Sequence, residues 1–249
     1  MKILCIVQAR MGSERLPGKV IRSILGKPMI LYTLDRLSES KYIDKIVLAT
    51  SDKVRENPLV NIVQNDGYNV FRGDESNVLK RYRDTANIYE GDIIIRITGD
   101  CPFIDPDIVD HVVTYFKMND YDYVRLDVPD SFIRGFDVEI FTKESLDRIY
   151  NIVCGMEANE SDGTAINMYK EHVTYYMYKH PNEFKVGHVY GSDLYNKNYR
   201  LCVDTMEDFK LVENIYKRFR DEYVSSRQIV EYLDENPEIS TINSNVIQK

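Results

Sequence analysis

The chain has 249 residues, with 32 Lys and Arg against 40 Asp and Glu, for a formal net charge of −8. That length suits one large domain, or a core with a small second lobe, and can bury a sizeable core without disulfides or a structural metal. A hydrophobic fraction of 43% is too apolar for a disordered chain, and a pI near 5.2 argues against nucleic acid as partner, whose phosphates require clustered Lys and Arg.

In chain order, the first apolar run, Ile3 to Val7, is too short for a signal sequence and meets polar Gln8 and Arg10 at once. No stretch approaches the ~20 apolar residues of a membrane span, so no membrane partner and a cytoplasmic location are expected. The runs at 2–8, 45–50, 69–72 and 92–97 are short, β-branched and bounded by turn residues, which predicts buried strands. Between them, 27–38, 56–65 and 76–89 carry apolar residues at helical spacing. Strand–helix alternation of this rhythm predicts an α/β fold, a mostly parallel twisted sheet with helices on both faces. Such sheets bind ligands beyond the carboxyl ends of their strands.

The second half is more mixed. A helix is predicted at 105–116, strands at 122–126 and 136–141, and a helix at 143–153. The stretch 154–170 is polar, contains glycine and shows no period, so it is expected to be an exposed loop. Two further strands are predicted at 185–189 and 199–203. A helix at 205–218 has Thr205 as N-cap with Asp208 three residues on, and a short helix lies near 226–233. The expected organisation is a single domain over 1–249. Its core is at about 1–120 and 199–220, and a small acceptor and dimerisation lobe is inserted at about 121–198.

Chemistry is concentrated at strand ends. Strand 2–8 runs into Gln8-Ala9-Arg10-Met11-Gly12-Ser13-Glu14-Arg15-Leu16-Pro17-Gly18-Lys19. This is not a P-loop, because five residues separate Gly12 from Gly18 and Val20 stands where Ser or Thr would hold magnesium. It still offers Arg10, Arg15, Lys19, the Ser13 hydroxyl and backbone amides freed by glycine, a set suited to a triphosphate. Strand 92–97 runs into Thr98-Gly99-Asp100-Cys101-Pro102, and Asp204 ends the run at 199–203. Two strand-end aspartates opposite a cationic loop suit a magnesium ion bridging phosphates. The four cysteines and four histidines show no metal-ligand spacing, and Cys101 is read as a packing residue.

These motifs resemble a family. The 8–19 loop, followed by Leu25-Gly26-Lys27-Pro28-Met29, is similar to the nucleotide signature of the cytidylyltransferases that activate acidic sugars, CMP-Kdo and CMP-sialate synthetases among them. The resemblance is strongest to the branch of the spore-coat polysaccharide protein SpsF. It extends through Phe71-Arg72-Gly73-Asp74, Ile97-Thr98-Gly99-Asp100-Cys101-Pro102, Asp137-Val138-Glu139, Glu171-His172-Val173-Thr174 and Val203-Asp204-Thr205-Met206-Glu207-Asp208. It implies CTP and Mg²⁺, a homodimer, and transfer of CMP to an acidic small molecule with release of pyrophosphate. That acceptor is a sugar acid, or a phosphorylated or phosphonate compound, in surface polysaccharide or glycoconjugate biosynthesis.

Carried over by position, the resemblance places Gln8, Ala9, Arg10, Gly12, Ser13, Arg15, Lys19, Thr98 and Gly99 on the nucleotide. Arg72 and Asp74 lie near the nucleoside, and Asp100 and Asp204 hold the metal. Arg15, Lys19, Asp100 and Asp204 form the catalytic set. Arg134, Asp137, Glu139 and His172 are the acceptor-side residues.

Two alternatives belong to other classes. A glycosyltransferase of related fold would use an Asp-x-Asp metal motif; Asp120-Tyr121-Asp122 matches the string but precedes its strand. A non-catalytic nucleotide-binding protein would have lost its metal carboxylates, whereas both are present.

Overall fold

The structure is a computed structural model that describes residues 1–158 and 163–247. In strand β1 (Ile3–Gln8), Ile3, Cys5 and Val7 pack on one face of the sheet, Leu4 and Ile6 on the other. The hairpin β2 (Ser23–Ile24) and β3 (Lys27–Pro28) turns at Leu25 and Gly26, both at positive φ (50° and 93°), which suits the right-handed twist of a tight hairpin. Strands β4 (Lys45–Ser51), β5 (Asn69–Gly73), β6 (Ile93–Thr98), β7 (Tyr123–Leu126), β8 (Glu139–Thr142) and β9 (Val186–Val189) join β1 in one seven-stranded sheet, ordered β5-β4-β1-β6-β8-β7-β9. The first four neighbours run parallel, β8 runs against β6 and β7, and β9 is parallel to β7.

Helices cover both faces, as the alternating pattern predicts. On the face of Cys5 and Val7 lie α1 (Met29–Ser38), α2 (Asn57–Asn65), α4 (Pro106–Met118), α8 (Met206–Phe219) and α9 (Ser226–Glu235). On the face of Leu4 and Ile6 lie α3 (Val78–Tyr89), α5 (Lys143–Ala158), α6 (Gly163–Glu171) and α7 (Tyr175–Lys179). A final turn, α10 (Pro237–Ser240), leads into the C-terminal segment. Residues 121–198 contribute β7, β8 and β9 to this same sheet and α5 to α7 to its second face.

Three expectations need correction. The stretch expected as a loop at 154–170 continues α5 to Ala158 and forms α6, while 159–162 lie outside the described residues. Only Ile166 of α6 is buried, so the helix leaves too thin an apolar stripe to read. The strand expected at 199–203 is irregular chain with one isolated bridge, Arg134 to Arg200. Buried Leu201, Cys202 and Val203 make an apolar run that reads as a strand, yet the N–H groups of Leu201 and Val203 donate to the carbonyls of Arg134 and Asp100 (both 2.8 Å) instead of joining the sheet. Strand β8 begins at Glu139, so Asp137 precedes the strand predicted at 136–141.

Candidate active site

The loop after β1 folds back on itself. The Met11 carbonyl accepts from Ser13 N–H (3.0 Å) and Gly18 N–H (3.1 Å), with Gly18 at φ 67° before a single 3₁₀ turn at Lys19–Ile21. Such a return needs a left-handed residue, which glycine supplies without a Cβ clash. Buried Glu56 holds the loop from below, accepting from Met11 N–H at 2.8 Å and Thr50 Oγ1 at 3.1 Å. Gly99 donates to the Gln8 carbonyl at 2.8 Å, and a Cβ there would sit 2.8 Å from both Ala9 Cβ and Ile30 Cδ1. Glycine thereby lets the loops after β1 and β6 close on each other.

This closeness brings Lys19 to both aspartates. Its Nζ donates to Asp100 Oδ2 (2.7 Å), Asp204 Oδ1 (2.8 Å) and the Val203 carbonyl (2.7 Å), so all three ammonium protons are used. Lys19 is 8% exposed. Burial pulls its pKa down, but the Asp100 charge and the hydrogen bonds to both carboxylates outweigh that and raise it. Burial pushes the Asp204 carboxyl up, and Lys19, Arg15 and Arg200 more than reverse it, leaving it below the usual carboxylate value. Arg15 Nη2 lies 3.0 Å from Asp204 Oδ2.

A cleft of about 900 Å³ opens over these groups. Gln8, Ala9, Arg10, Gly12, Ser13, Arg15, Lys19, Thr98, Asp100 and Asp204 all line it, and Gly99 lies beneath. Of the acceptor-side expectations, His172 lines the cleft. Glu139 lies behind the wall, holding cleft-lining Arg96 (3.0 Å to Nη1) while accepting from Thr174 Oγ1 (2.7 Å). Asp137 accepts from Gly135 N–H at 2.6 Å. Burial raises its pKa, with the Gly135 hydrogen bond and the Arg134 charge opposing.

Arg134, Asp137, Arg72 and Asp74 are not part of the cleft wall. Arg72 ties the β4–α2 connection through Asn57 Oδ1 (2.8 Å) and the Lys53 carbonyl (2.8 Å). The Asp74 carboxylate accepts from Asn77 and Ser76 N–H (both 2.9 Å), which lowers its pKa.

Sequence reasoning missed Arg81, Arg96 and the α6 residues Asn167 and Lys170, all facing the cleft. An arginine inside the isoleucine run of β6 was a readable signal. Arg81 was readable as a cation on the buried stripe of α3. The thin pattern of α6 left none.

Asp100 and Asp204 fit a hard divalent cation, because they turn carboxylate oxygens on one point that the Lys19 ammonium marks with positive charge. The nearby thiol of Cys101 is buried, and burial with the Asp100 charge pushes its pKa well up, so it stays protonated. Among the described residues no cluster of three or more His, Cys, Asp or Glu side chains could hold a metal. The other ligands of a cation here would be phosphate oxygens and water.

Known proteins share this architecture. A family model described as cytidylyltransferase matches residues 4–244. The spore coat polysaccharide biosynthesis protein SpsF of Bacillus subtilis is 33% identical over 96% of this chain and 97% of its own length. An uncharacterized protein of Methanocaldococcus jannaschii is 39% identical over 100% and 97%. The solved structure of a cytidylyltransferase from Leptospira borgpetersenii superposes with a TM-score of 0.87 at 30% identity, covering 100% of this chain and 99% of that one. A match running nearly end to end, over a chain whose strand-end loop and aspartates meet in one cleft, makes this protein a member of the cytidylyltransferase family, an enzyme of the nucleotidyltransferase class.

Proposed function

We propose that the chain transfers CMP from CTP to an acidic small-molecule acceptor, a sugar acid or a phosphorylated or phosphonate compound, releasing pyrophosphate. The observation that carries the reading is the convergence of Asp100 and Asp204 on Lys19 inside the cationic loop. An acceptor oxygen attacks the α-phosphorus in line, and the bond to the bridging oxygen of pyrophosphate breaks. No covalent enzyme intermediate is required, so the protein's work is positioning and charge neutralisation. Arg10 and Arg15 hold the phosphates, Lys19 acts on them by its charge, and Arg15 and Lys19 offset the charge of departing pyrophosphate. Asp100 and Asp204 would hold Mg²⁺, which when bound neutralises phosphate charge and eases deprotonation of an acceptor hydroxyl.

His172 and Arg96 face the acceptor, with Glu139 acting through Arg96 and with Arg134 and Asp137 behind. Arg72 and Asp74 shape the loop ends near the nucleoside. The nucleotide rests on 1–120 and 199–220, and 121–198 carries the acceptor side and the contact of a cytoplasmic homodimer in surface polysaccharide or glycoconjugate biosynthesis. Support for that setting is the likeness to SpsF. Among the described residues no helix is long and apolar enough to cross a membrane.

The glycosyltransferase alternative loses its motif. Asp120 is an exposed partner of Lys185, and Asp122 accepts from Lys185 N–H at 2.8 Å, both away from the cleft wall. The test is a panel of CTP, UTP, ATP and GTP with Mg²⁺ and acidic acceptors, read as pyrophosphate release. Release with CTP and an acid acceptor is expected. Release with another nucleotide in preference to CTP, or sugar transfer from a nucleotide sugar, overturns the reading. Cys101→Ser is expected to keep CTP binding and turnover, and abolished turnover in a folded variant would make Cys101 more than packing.

A further inference from the structure

The carboxylate of Asp204 is held from behind by Arg200, which does not line the cleft. Asp204 Oδ1 faces Lys19, while Oδ2 is occupied by Arg15 (3.0 Å) and by Arg200 Nη2. Arg200 reaches a second carboxylate with its Nε, 3.1 Å from Asp208 Oδ1. Asp208 is fully buried at the third position of α8. Its Oδ2 accepts from the N–H groups of Asp204 and Thr205 (both 2.9 Å), the latter completing a capping box with Thr205.

A capping box needs that oxygen only. The other, Oδ1, serves no cap: besides Arg200 it accepts from Asn243 Nδ2 at 2.7 Å, and Asn243 also donates to the Arg200 carbonyl at 2.9 Å. Asn243 is 3% exposed and comes from the C-terminal segment beyond α10, which returns to the cleft where the Ile247 carbonyl accepts from Arg15 (3.3 Å).

We infer that Asn243, Asp208 and Arg200 form a positioning relay that sets which oxygen of Asp204 is presented to the cleft, and that the C-terminal segment is thereby part of the active site. The inference rests on the proposed role of Asp204 as a metal carboxylate. A buried carboxylate is tolerable only when its lone pairs are occupied, so Asp208 is a rigid post to which Arg200 can be tied. Arg200 spans post and ligand with two different nitrogens of one planar group, and this transmits the position of the first to the second. Asn243 holds the post and the backbone of the arm together. Without it, Asp208 Oδ1 loses a donor and the Arg200 carbonyl loses the tie that holds its backbone to the post, so Oδ2 of Asp204 shifts with the arm.

The experiment compares Asn243→Leu, close to Asn in size but without donors, with Arg200→Lys, which keeps the charge but cannot reach both carboxylates. Asn214→Leu on the solvent side of α8 is the control, since among the described residues its amide donates to the Lys210 carbonyl of its own helix. Mn²⁺ affinity in the presence of CTP is read by electron paramagnetic resonance of free Mn²⁺. CTP affinity in EDTA and melting temperature are measured alongside. Groups that orient metal ligands typically contribute about 10–100-fold in metal affinity. Asn243→Leu and Arg200→Lys are expected to weaken Mn²⁺ binding within that range and to leave CTP binding in EDTA within about twofold. Asn214→Leu changes neither.

A merely structural role lowers the melting temperature of Asn243→Leu with Mn²⁺ affinity of the folded protein unchanged, and that result overturns the relay. If Asn243→Leu does not fold, Asn243→Ser, which keeps a small donor, and Arg200→Lys carry the same comparison. Asp204→Asn separates the two layers of the argument. Unchanged Mn²⁺ binding in Asp204→Asn removes the metal reading itself. Weakened binding there with normal binding in the relay variants removes only the relay.

Discussion

Asp100→Asn and Asp204→Asn are each expected to lower turnover by several orders of magnitude, and the double variant is expected to be scarcely worse than either. The two side chains meet on one nitrogen of Lys19, so on the proposed reading they serve one cation and one electrostatic task. A metal at a phosphoryl group stabilises transition-state charge by several kcal/mol, and each ~1.4 kcal/mol is a factor of ten in rate. Groups that act as a unit lose their effect together, so the second substitution has little left to remove. Nucleotide binding should survive better than turnover, because Arg10, Arg15 and Lys19 still line the cleft with positive charge. The measurement is turnover of both single variants and the double across a Mg²⁺ titration. Near-normal activity in Asp204→Asn takes that residue out of the site. Losses that multiply assign the carboxylates separate tasks, with one of them acting as base.

Lys19→Met is expected to move two ligands in opposite directions. Losing a buried cation from the loop should weaken CTP binding by ~1–3 kcal/mol, the range for a charge-assisted contact. The same change leaves Asp100 and Asp204 facing each other without their shared ammonium, so Mn²⁺ without nucleotide should bind more tightly than to the unsubstituted protein. Calorimetry with each ligand alone decides it. Weaker binding of both would mean that Lys19 organises the carboxylates rather than competing for them.

Stability follows the same charges. The Asp204 pKa is depressed in the fold, so its contribution is present above the ordinary carboxylate value of about 3.9 and is lost as pH falls through the lower folded value. The Lys19 pKa is raised, so its contribution is present below about 10.4 and is lost as pH rises through the higher folded value. Lys19→Met should therefore flatten both the acid and the alkaline limb of melting temperature against pH, and unchanged limbs would show that the ion pairs contribute nothing to stability.

The residues most legible in the sequence were those whose signal is local. The 8–19 loop crowds three cations and two glycines after an apolar strand, and Thr205 with Asp208 spells a capping box that the structure contains. Elsewhere a local signal misled. Leu201, Cys202 and Val203 form an apolar run like a buried strand, yet they are buried against the loops of Asp100 and Arg134. Helix α6 fully buries one residue and turns Asn167 and Lys170 to the cleft, so the pattern that announces a helix was absent where the helix faces the site.

The alternation of strands and helices over 2–97, the placing of helices on both faces of the sheet and the crowding of cations in the loop were legible in the sequence alone, because periodicity and turn chemistry are properties of near neighbours. Tertiary structure decided which charges meet. Lys19 and Asp204 are 185 positions apart, and Asn243 is 35 from Asp208. They meet because β1 lies beside β6 with Gln8 opposite Thr98, because Gly99 admits the loop, and because the irregular 199–203 chain is laid over that junction. No period along the chain encodes such a meeting, since it depends on how distant segments pack, and only the packed molecule shows that Asp208 is a post as well as a cap.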